Sequence, residues 1–424
     1  MSRLRGIALA AGLGLALLAA ALDQSIVATA LPTIVDDLAG DAAGQALAWV
    51  ATSYVLAATL AMPVHGRIGD RFGRRRALVG ALAVFLAGSI GAALAPTVAA
   101  LVATRFVQGL GGGGLLVLVQ ACVADVVPER SRAPYLAAVG AVFAMSSVAG
   151  PPLGGWLAEG PGWRWAFWLN VPIALAGLAV VLAVLAPGAP ARASTDDARG
   201  APGAPRAWWR RRNVRLAMGG GLVLAVVFFG VVAYVPAYLQ YALGLSPSAA
   251  GRWMLVLMGG LGVGTLAAAG VVRVTGRYRR LPLLGAGFAA AGLLVLSTAP
   301  PDAGMPRVAA GLALVGLGIG VTWDVLLLAV QADAPADQVG TATAAYGFAR
   351  EVGVTIGTAL VGTVFASRVA VLVGTGRPAA DDYSRAFLPI LAAGVPILAL
   401  AAVAFAFLAP VPLARRSTAP ADRE

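Results

Sequence analysis

The chain has 424 residues, of which 59% are hydrophobic and only 12% are charged, and its net charge of +12 comes from arginine because lysine does not occur. Soluble domains carry about 25% charged residues, so this composition argues against a soluble enzyme. Cys122 and His65 are the sole cysteine and histidine, which excludes an internal disulfide bond and leaves almost nothing for a zinc site or a Ser-His-Asp triad.

Twelve apolar segments are each long enough to cross a bilayer. They cover residues 7–32, 45–65, 77–96, 98–123, 134–158, 165–187, 216–242, 248–272, 281–299, 307–331, 340–367 and 386–410. Because lipid offers the backbone no hydrogen-bond partners, each segment is predicted to be a helix. The first follows two arginines, as in a signal peptide, but it continues to Pro32 and is too long for that role. These segments predict an all-α integral membrane protein in contact with the lipid bilayer.

Arginines are concentrated in alternate connections between these segments. Arg74, Arg212 and Arg279 lie on one side, whereas the other side carries few, such as Arg164. Membrane proteins retain basic residues in the cytoplasm, so the arginine-rich connections and both termini are predicted to be cytoplasmic. The same alternation argues against a nucleic-acid partner, which would require basic residues clustered on one face.

A hydrophilic stretch rich in Pro, Ala, Gly and Arg separates the sixth segment from the seventh and predicts a disordered linker. Similar basic sequences follow the second and eighth segments, at Gly73–Arg76 and Gly276–Arg279, which indicates two parallel repeats. The predicted division is a six-helix bundle over residues 1–187, a cytoplasmic linker over 188–213, a second six-helix bundle over 214–410 and a cytoplasmic tail over 411–424.

Four motifs occur along the chain. They are GRIGDRFGRRR at 66–76, RFVQG at 105–109, GPPLGG at 150–155, and the pair LDQSIVATALP at 22–32 with WRWAFWLNVP at 163–172. The first resembles the loop between helices two and three of the major facilitator superfamily, and the second resembles the fourth-helix motif of its proton-coupled members. The third resembles the helix-five motif of drug:proton antiporters, and the last pair resembles a multidrug branch that usually has fourteen helices.

This resemblance implies the major facilitator fold, with two pseudo-symmetric six-helix bundles. The chain departs from the pattern in three ways. It has twelve predicted spans, Ser146 stands where the helix-five motif usually begins with glycine, and Arg273 occupies the position in the second repeat that corresponds to Asp70.

The first motif is predicted to form a gate loop of Gly66, Asp70, Arg71, Gly73 and Arg74. Its glycines permit a tight turn, and its arginines anchor the turn at the cytoplasmic surface. Asp70 can pair with the arginines or face a helix N-terminus. One interpretation is a contact that holds the two halves together and breaks when the cytoplasmic side opens. The alternative is a solvated loop that only fixes topology.

Gly150, Pro151, Gly154 and Gly155 are predicted to bend the fifth helix, since proline removes a backbone hydrogen bond and glycine adds no side-chain packing. The resemblance implies a tight periplasmic seam that favours export, and an ordinary packing kink is the alternative.

Glycine pairs four residues apart, at 109/113, 260/264 and 316/320, predict close packing between helices. The residues at 109–114 also match G-x-G-x-x-G, but no strand precedes them, so a dinucleotide site is not expected.

Five ionisable residues within the spans are candidates for proton coupling, and they are Asp23, Arg105, Asp324, Arg350 and Glu351. Each costs about 2.5–3.5 kcal/mol on insertion scales, so each requires a reason. At a rise of 1.5 Å per residue, Asp23 and Arg105 both lie roughly 10–13 Å below the outer surface, which predicts that they are neighbours. Burial disfavours an ionised carboxylate and a guanidinium favours it, so a moving Arg105 would change the proton affinity of Asp23. A static ion pair that fixes helix packing is the alternative.

Arg350 and Glu351 are expected either to neutralise each other or to face a central cavity. Asp324 is a candidate second protonation or substrate-cation site, with snorkelling or helix packing as the alternative.

Aromatic and amide side chains in the spans are candidates for substrate binding, and they are Trp49, Tyr54, Gln108, Tyr234, Tyr238, Gln240, Trp323 and Tyr346. Aromatic walls suit an amphipathic or lipophilic ligand, and nearby acidic groups favour a cation. Packing or interfacial roles are the alternative for each.

The sequence therefore predicts a monomeric, proton-coupled exporter of small amphipathic molecules in the bacterial inner membrane. The proton gradient would supply the energy and no cofactor or metal is expected, since a P-loop requires lysine. A metabolite, sugar or peptide porter of the same superfamily is the main alternative, and a channel or a membrane-embedded enzyme are further ones.

Overall fold

The computed structural model describes residues 3–38, 43–126, 132–184, 208–298, 304–335, 338–373 and 379–408, and its secondary structure in these ranges is helical. The N-terminal helices are α1 (Arg3–Leu38), α2 (Ala43–Phe72), α3 (Arg74–Ala93), α4 (Val98–Val126), α5 (Arg132–Glu159), α6 (Trp165–Trp168) and α7 (Asn170–Val184). The C-terminal helices are α8 (Arg212–Ala237), α9 (Pro247–Thr275), α10 (Leu281–Ser297), α11 (Met305–Asp333), α12 (Val339–Val373) and α13 (Ala380–Ala406).

Ten helical segments in the described part of the chain are long and apolar enough to cross a membrane. Two of them, Trp165–Val184 and Arg212–Ala242, combine neighbouring helical elements, and α10 is shorter, at Leu281–Ser297. The prediction of an all-α protein is thereby confirmed. The predicted tail and residues 188–207 of the predicted linker lie outside the described residues. The remainder of that linker is helical, because a 3₁₀ turn occupies Trp208–Arg210 and α8 begins at Arg212.

The predicted gate loop is wrong in its extent. Helix α2 continues through Gly66, Asp70 and Arg71 to Phe72, and α3 already begins at Arg74. Gly73 alone separates the two helices, with a φ of 90° that favours glycine. Gly276, which follows the eighth predicted segment as Gly73 follows the second, ends α9 with a φ of 65°. A glycine with positive φ therefore turns the chain at both places.

The predicted sixth span is interrupted where α6 ends at Trp168 and α7 begins at Asn170. Pro172 explains this break, because it lacks the N–H that would bond to the carbonyl of Trp168. At the end of α8, a π-helical turn covers Tyr238–Ala242, and the Leu243 N–H donates to the Tyr238 carbonyl at 3.3 Å.

The glycine pairs pack helices together as predicted. A Cβ added at Gly113 would lie 2.1 Å from the Ala58 carbonyl oxygen, so α4 and α2 touch through their backbones. Likewise, a Cβ at Gly264 would lie 2.3 Å from the Leu317 oxygen, and one at Gly320 would lie 2.0 Å from the Leu261 oxygen. Glycines on both α9 and α11 therefore allow the backbone of the opposite helix to approach closely. Small residues drive helix association in this way in membranes, where no hydrophobic effect operates between helices.

The N-terminal and C-terminal helices meet along α2 with α12 and along α5 with α9. We call the end where α1 finishes and α2 starts the arginine-poor end, and the end where α2 meets α3 the arginine-rich end. At the arginine-poor end, Gln240 donates to the Thr29 carbonyl at 2.9 Å, and the Tyr241 hydroxyl donates to an Asp36 carboxylate oxygen at 2.7 Å. Near the middle of α2 and α12, the Thr59 and Thr355 hydroxyls are 2.8 Å apart. The first two contacts close the arginine-poor end, and the third joins the N-terminal and C-terminal helices near their middle.

Candidate proton-coupling site

Asp23 on α1 and Arg105 on α4 form an ion pair in the interior of the N-terminal helices, as their predicted depths suggested. Their residues are 0% and 2% exposed, and the guanidinium Nη1 donates to the carboxylate Oδ2. A buried charge is tolerable only when it is paired and hydrogen-bonded. An ion pair between residues 82 positions apart in sequence therefore joins α1 to α4 at this point.

Two amide side chains complete the bonding of Asp23, and we call this group of residues the Asp23 site. Gln108 Nε2 donates to Asp23 Oδ1 at 2.9 Å, and Asn170 Nδ2 donates to the same oxygen at 2.7 Å. Gln108 Oε1 accepts from Arg105 Nη1 at 2.7 Å, while Gln108 Nε2 also donates to the Ser89 hydroxyl at 2.8 Å. Three N–H donors, from Arg105, Gln108 and Asn170, therefore satisfy both oxygens of this buried carboxyl group.

Aromatic rings surround the guanidinium. The Arg105 Cζ lies 4.3 Å from the Tyr54 ring centroid and 5.7 Å from that of Phe167. Both rings are fully buried, which strengthens the cation–π attraction because water does not compete. Tyr54, a predicted substrate contact, thus lies against Arg105.

Asn170, Ser89 and Phe167 belong to the Asp23 site, although sequence reasoning did not single them out. Asn170 and Phe167 lie within the WRWAFWLNVP motif. The signal that could have identified Asn170 is a polar amide within an apolar predicted span. Nothing in the sequence distinguishes Ser89 from other helix residues. Its hydrogen bond with Gln108 is what makes it part of the Asp23 site.

Arg350 and Glu351 on α12 form a second charged group, which we call the Arg350 cluster together with Trp323, Asp324 and Tyr346. Arg350 Nη2 donates to Glu351 Oε1 at 2.6 Å, and the Arg350 Cζ lies 5.1 Å from the Trp323 ring centroid. The Tyr346 hydroxyl donates to the Trp323 carbonyl at 3.1 Å. The Arg350 and Glu351 side chains are 29% and 14% exposed, and Asp324 is exposed. The cluster therefore combines aromatic rings with charged side chains that are at least partly exposed.

The residues of the predicted gate lie at the arginine-rich end. Arg74 Nη2 and Asp70 Oδ1 are 2.5 Å apart, with side-chain exposures of 20% and 64%. Arg74 Nη1 also donates to the Gly66 carbonyl at 3.4 Å, and the Arg71 Cζ lies 5.5 Å from the Phe72 ring centroid. In this state Asp70 pairs within its own half, across the α2–α3 turn.

Helix α5 continues unbroken through Pro151 and Pro152 to Glu159. Its glycines serve close packing. An added Cβ would lie 2.1 Å from Ser25 Cβ at Gly150, 2.4 Å from the Ile26 oxygen at Gly154, and 2.2 Å from the Pro247 oxygen at Gly155. The first two place α5 on α1, and the third places it on α9. Helix α5 therefore connects the neighbourhood of Asp23 to the contact between the halves.

Four predicted substrate contacts belong to neither charged group. The Tyr234 hydroxyl donates to the Thr358 carbonyl at 3.1 Å, Tyr238 stacks on Phe387, and Gln240 bonds Thr29. Trp49 is 58% exposed. The structure therefore distributes the predicted set over several places instead of gathering it in one cavity.

A cleft of about 810 Å³ lies at the arginine-poor end of the N-terminal helices, beside the WRWAFWLNVP motif. Trp163, Arg164, Trp165 and Asp37 line part of it. The Trp163 Nε1–H and the Arg164 Nη1 donate to Asp37 Oδ2 at 2.9 and 3.0 Å. Sequence analysis assigned no site here.

The chain matches the Major Facilitator Superfamily over residues 13–358. It is 34% identical over 391 residues to an uncharacterized MFS-type transporter of Mycobacterium tuberculosis, covering 80% of this chain and 56% of that protein. The chain thus spans little more than half the length of that relative. It is 27% identical over 399 residues to the multidrug transporter protein MdtP of Bacillus subtilis, covering 81% of this chain and 72% of that protein.

Among solved structures, the chain resembles that of a D-xylose–proton symporter, with a TM-score of 0.72 and 19% identity, over 97% of this chain and 99% of that one. This likeness shows the fold. The relative MdtP agrees with the resemblance to a multidrug branch that the motifs indicated. The helical architecture and the match over most of the sequence lead to one conclusion: the chain belongs to the Major Facilitator Superfamily of multi-pass membrane transporters.

Proposed function

We propose that this transporter exports small amphipathic or lipophilic molecules from the bacterial cytoplasm in exchange for protons, by alternating access. The observation that carries the proposal is the ion pair of Asp23 and Arg105, fully buried and supplied with amide donors. The proton gradient is its energy source, and it requires no cofactor.

Proton exchange would proceed at the Asp23 carboxylate. A proton that reaches Asp23 neutralises it and removes its attraction for Arg105, whose remaining contacts are Gln108 and the rings of Tyr54 and Phe167. A protein can shift between two states only by the difference in how a ligand binds each of them. The change in charge at Asp23 supplies such a difference, because an unpaired buried Arg105 is costly and favours rearrangement of α1 against α4.

Alternating access is supported by the contact between α5 and α9. Gly155 admits the Pro247 backbone, and Gly251 on α9 admits the Pro151 backbone, with an added Cβ 2.3 Å from its oxygen. Close packing of this kind has discrete arrangements instead of a continuous range, as switching interfaces require. The state described here is closed at the arginine-poor end, so the path to the substrate would open at the arginine-rich end.

The proposed architecture is twelve membrane spans in two pseudo-symmetric six-helix bundles. It adds α5 and the short α10 to the ten candidate segments, one of which combines α6 with α7. Both termini are proposed to be cytoplasmic in the bacterial inner membrane, because the arginine-rich end is then cytoplasmic. The proposed working unit is a monomer that binds one small-molecule substrate and protons.

The proposed substrate class follows from the Arg350 cluster. Trp323 packs against Phe228 and Phe229, with ring centroids 6.2 and 5.8 Å away, and Asp324 on the same helix is exposed. Aromatic rings beside accessible carboxylates bind lipophilic cations through cation–π and charge attraction. MdtP, a relative named for multidrug transport, supports the same class.

The deciding experiment uses purified protein in vesicles with an imposed pH gradient. Uptake of a labelled lipophilic cation driven by internal acid is expected for the wild type and lost in Asp23→Asn. Asp37→Asn is the matched control, because Asp37 is also an α1 carboxylate paired with an arginine but its side chain is 51% exposed. Proton-driven exchange at the wild-type rate in Asp23→Asn would refute the proposal.

A sugar, metabolite or peptide porter is the second candidate, favoured by the structural likeness to the D-xylose–proton symporter. A symporter accumulates substrate on the side towards which protons flow, whereas an antiporter accumulates it on the opposite side. The same vesicles therefore separate the two candidates by the direction of net uptake of a labelled sugar or a labelled cation.

A further inference from the structure

The geometry points to Asn170 as a positioning residue for the Asp23 carboxylate, which it supports in the ionised form that accepts a proton. Asn170 is the first residue of α7, is 0% exposed, and donates from Nδ2 to Asp23 Oδ1 at 2.7 Å. This role rests on the proposed function, because it concerns the group proposed to carry the proton.

The bonding of Asn170 shows that its amide serves Asp23. Its Oδ1 is buried and has no hydrogen-bond partner within the described part of the protein. A structural asparagine in the interior uses both ends of its amide, because leaving either end unpaired is unfavourable. Here the bond to Asp23 is the described side-chain bond that fixes the amide, so the orientation of Asn170 depends on the charge of Asp23.

Gln108 differs from Asn170 although both amides donate to Asp23 Oδ1. Its Oε1 already accepts from Arg105 and its Nε2 also reaches Ser89. Arg105 offers donors and no acceptor. Of the three side chains that bond Asp23, Asn170 is therefore the one whose acceptor oxygen has no partner among the described residues and is free to accept the O–H of a protonated Asp23. A rotation of the amide or of the carboxyl group would exchange the N–H donor for that acceptor, so Asn170 can respond to both protonation states.

The other groups near Asp23 do not duplicate this role. Arg105 on α4 and Tyr54 on α2 are the charged and titratable side chains that the structure describes next to it. Helix α7 contributes no titratable side chain. Of the helices that also pack on α1, α5 carries Arg132, Tyr135 and Glu159 towards its ends, and α9 carries Arg252 and Arg273 towards its ends. Helix α8 carries Arg212 and Arg215 at its start and Tyr234, whose hydroxyl bonds Thr358. We therefore assign to Asp23 a change in carboxyl titration that follows a substitution of Asn170.

Loss of the Asn170 donor should make Asp23 easier to protonate. In Asn170→Leu the carboxylate loses one of its three donors, and the carboxylic acid loses a neutral acceptor. Hydrogen bonds to a charged group are roughly twice as strong as neutral ones, so the first loss outweighs the second. The pH at which Asp23 is half-protonated is expected to rise by about one unit or more.

The test is an infrared titration of the Asp23 carboxyl band in the full-length protein in lipid, with the band assigned by its loss in Asp23→Asn. We expect a higher midpoint in Asn170→Leu and a smaller rise in Asn170→Thr, which keeps a shorter hydroxyl donor. The matched control is Thr322→Val, which removes a buried hydroxyl that bonds the Gly318 carbonyl of its own helix at 2.8 Å, and its midpoint should equal that of the wild type.

An unchanged or lowered midpoint in both Asn170 variants would overturn the inference while leaving the proposed function intact. Should Asn170→Leu fail to fold, Asn170→Thr alone decides between these results. A raised midpoint, together with vesicle transport that does not respond to a pH gradient, would instead support Asn170 as the partner of Asp23 and refute proton coupling. The two failures are therefore distinguishable.

Discussion

The Asp23 site and the Arg350 cluster each contain an arginine and a carboxylate, yet they differ in how the pair is made. Asp23 and Arg105 come from different helices and exclude water, whereas Arg350 and Glu351 are adjacent on one helix and partly exposed. Adjacent residues on a helix point in different directions, so the second pair neutralises charge without joining helices. The comparison teaches that the first pair joins two helices in the interior, whereas the second leaves its charged groups partly exposed.

The largest expected effect is on the free energy of unfolding, and it comes from breaking the buried Asp23–Arg105 pair. Arg105→Ala leaves Asp23 as a buried, uncompensated charge, and such losses destabilise a protein by about 3–5 kcal/mol. Thermal unfolding of the purified protein in detergent should show this loss, and combining Arg105→Ala with Asp23→Asn should recover part of it.

Arg350→Ala is the control for this prediction, with an expected loss of about 1 kcal/mol or less because water reaches its partner. Equal losses in Arg105→Ala and Arg350→Ala would contradict the distinction between the two regions.

The next effect concerns the contact that closes the arginine-poor end. Gly155→Ala places a Cβ 2.2 Å from the Pro247 carbonyl oxygen, and overpacking of this kind typically costs about 1–3 kcal/mol. The closed state should become less populated by roughly tenfold, as measured by spin-label distances between the ends of α5 and α9. Hydration of Asp23 should then increase, while the Arg350 cluster, already partly exposed, should change little.

Gly140→Ala is the matched control on the same helix, since nothing lies within 4 Å of its added Cβ. If both variants gave the wild-type distance distribution, the close contact between α5 and α9 would not determine the population of the closed state.

A smaller effect is expected from Glu351→Gln. The pair with Arg350 is partly exposed, so the unfolding free energy should fall by about 1 kcal/mol or less. Binding of a lipophilic cation should weaken several-fold, because a negative charge near Trp323 is lost. Equilibrium binding to the purified protein measures this change, and Asp381→Asn, which removes the carboxylate of an exposed ion pair with Arg385, should leave binding unchanged. Retained affinity in Glu351→Gln would exclude the cluster as the cation site.

The smallest effect on stability is expected at Asp70, whose side chain is 64% exposed. Exposed ion pairs contribute about 0–1 kcal/mol, so Asp70→Asn should unfold almost as the wild type does. Its transport rate in vesicles should nevertheless fall several-fold if Asp70 joins the two halves in the opposite state. A normal rate would reduce the Asp70–Arg74 pair to an anchor of the α2–α3 turn.

Sequence patterns predicted the helices, the closeness of Asp23 to Arg105 and the glycine contacts, because length, depth and spacing suffice for these. They did not identify Asn170 as a partner of Asp23, since the side of α1 that faces α7 depends on how the two helices pack and not on either segment alone. They also treated Gly66 to Phe72 as a loop, although polar residues continue a helix once it has left the membrane.

By itself the sequence determined that the chain crosses a membrane as helices, because apolar length and the need to satisfy backbone hydrogen bonds are local properties. It also determined which charges must lie within the spans. Only the tertiary structure decided that Asp23 has two amide partners and that Glu351 turns to its neighbour Arg350. Those choices depend on how each helix is rotated about its axis, and the packing of all the helices together fixes that rotation.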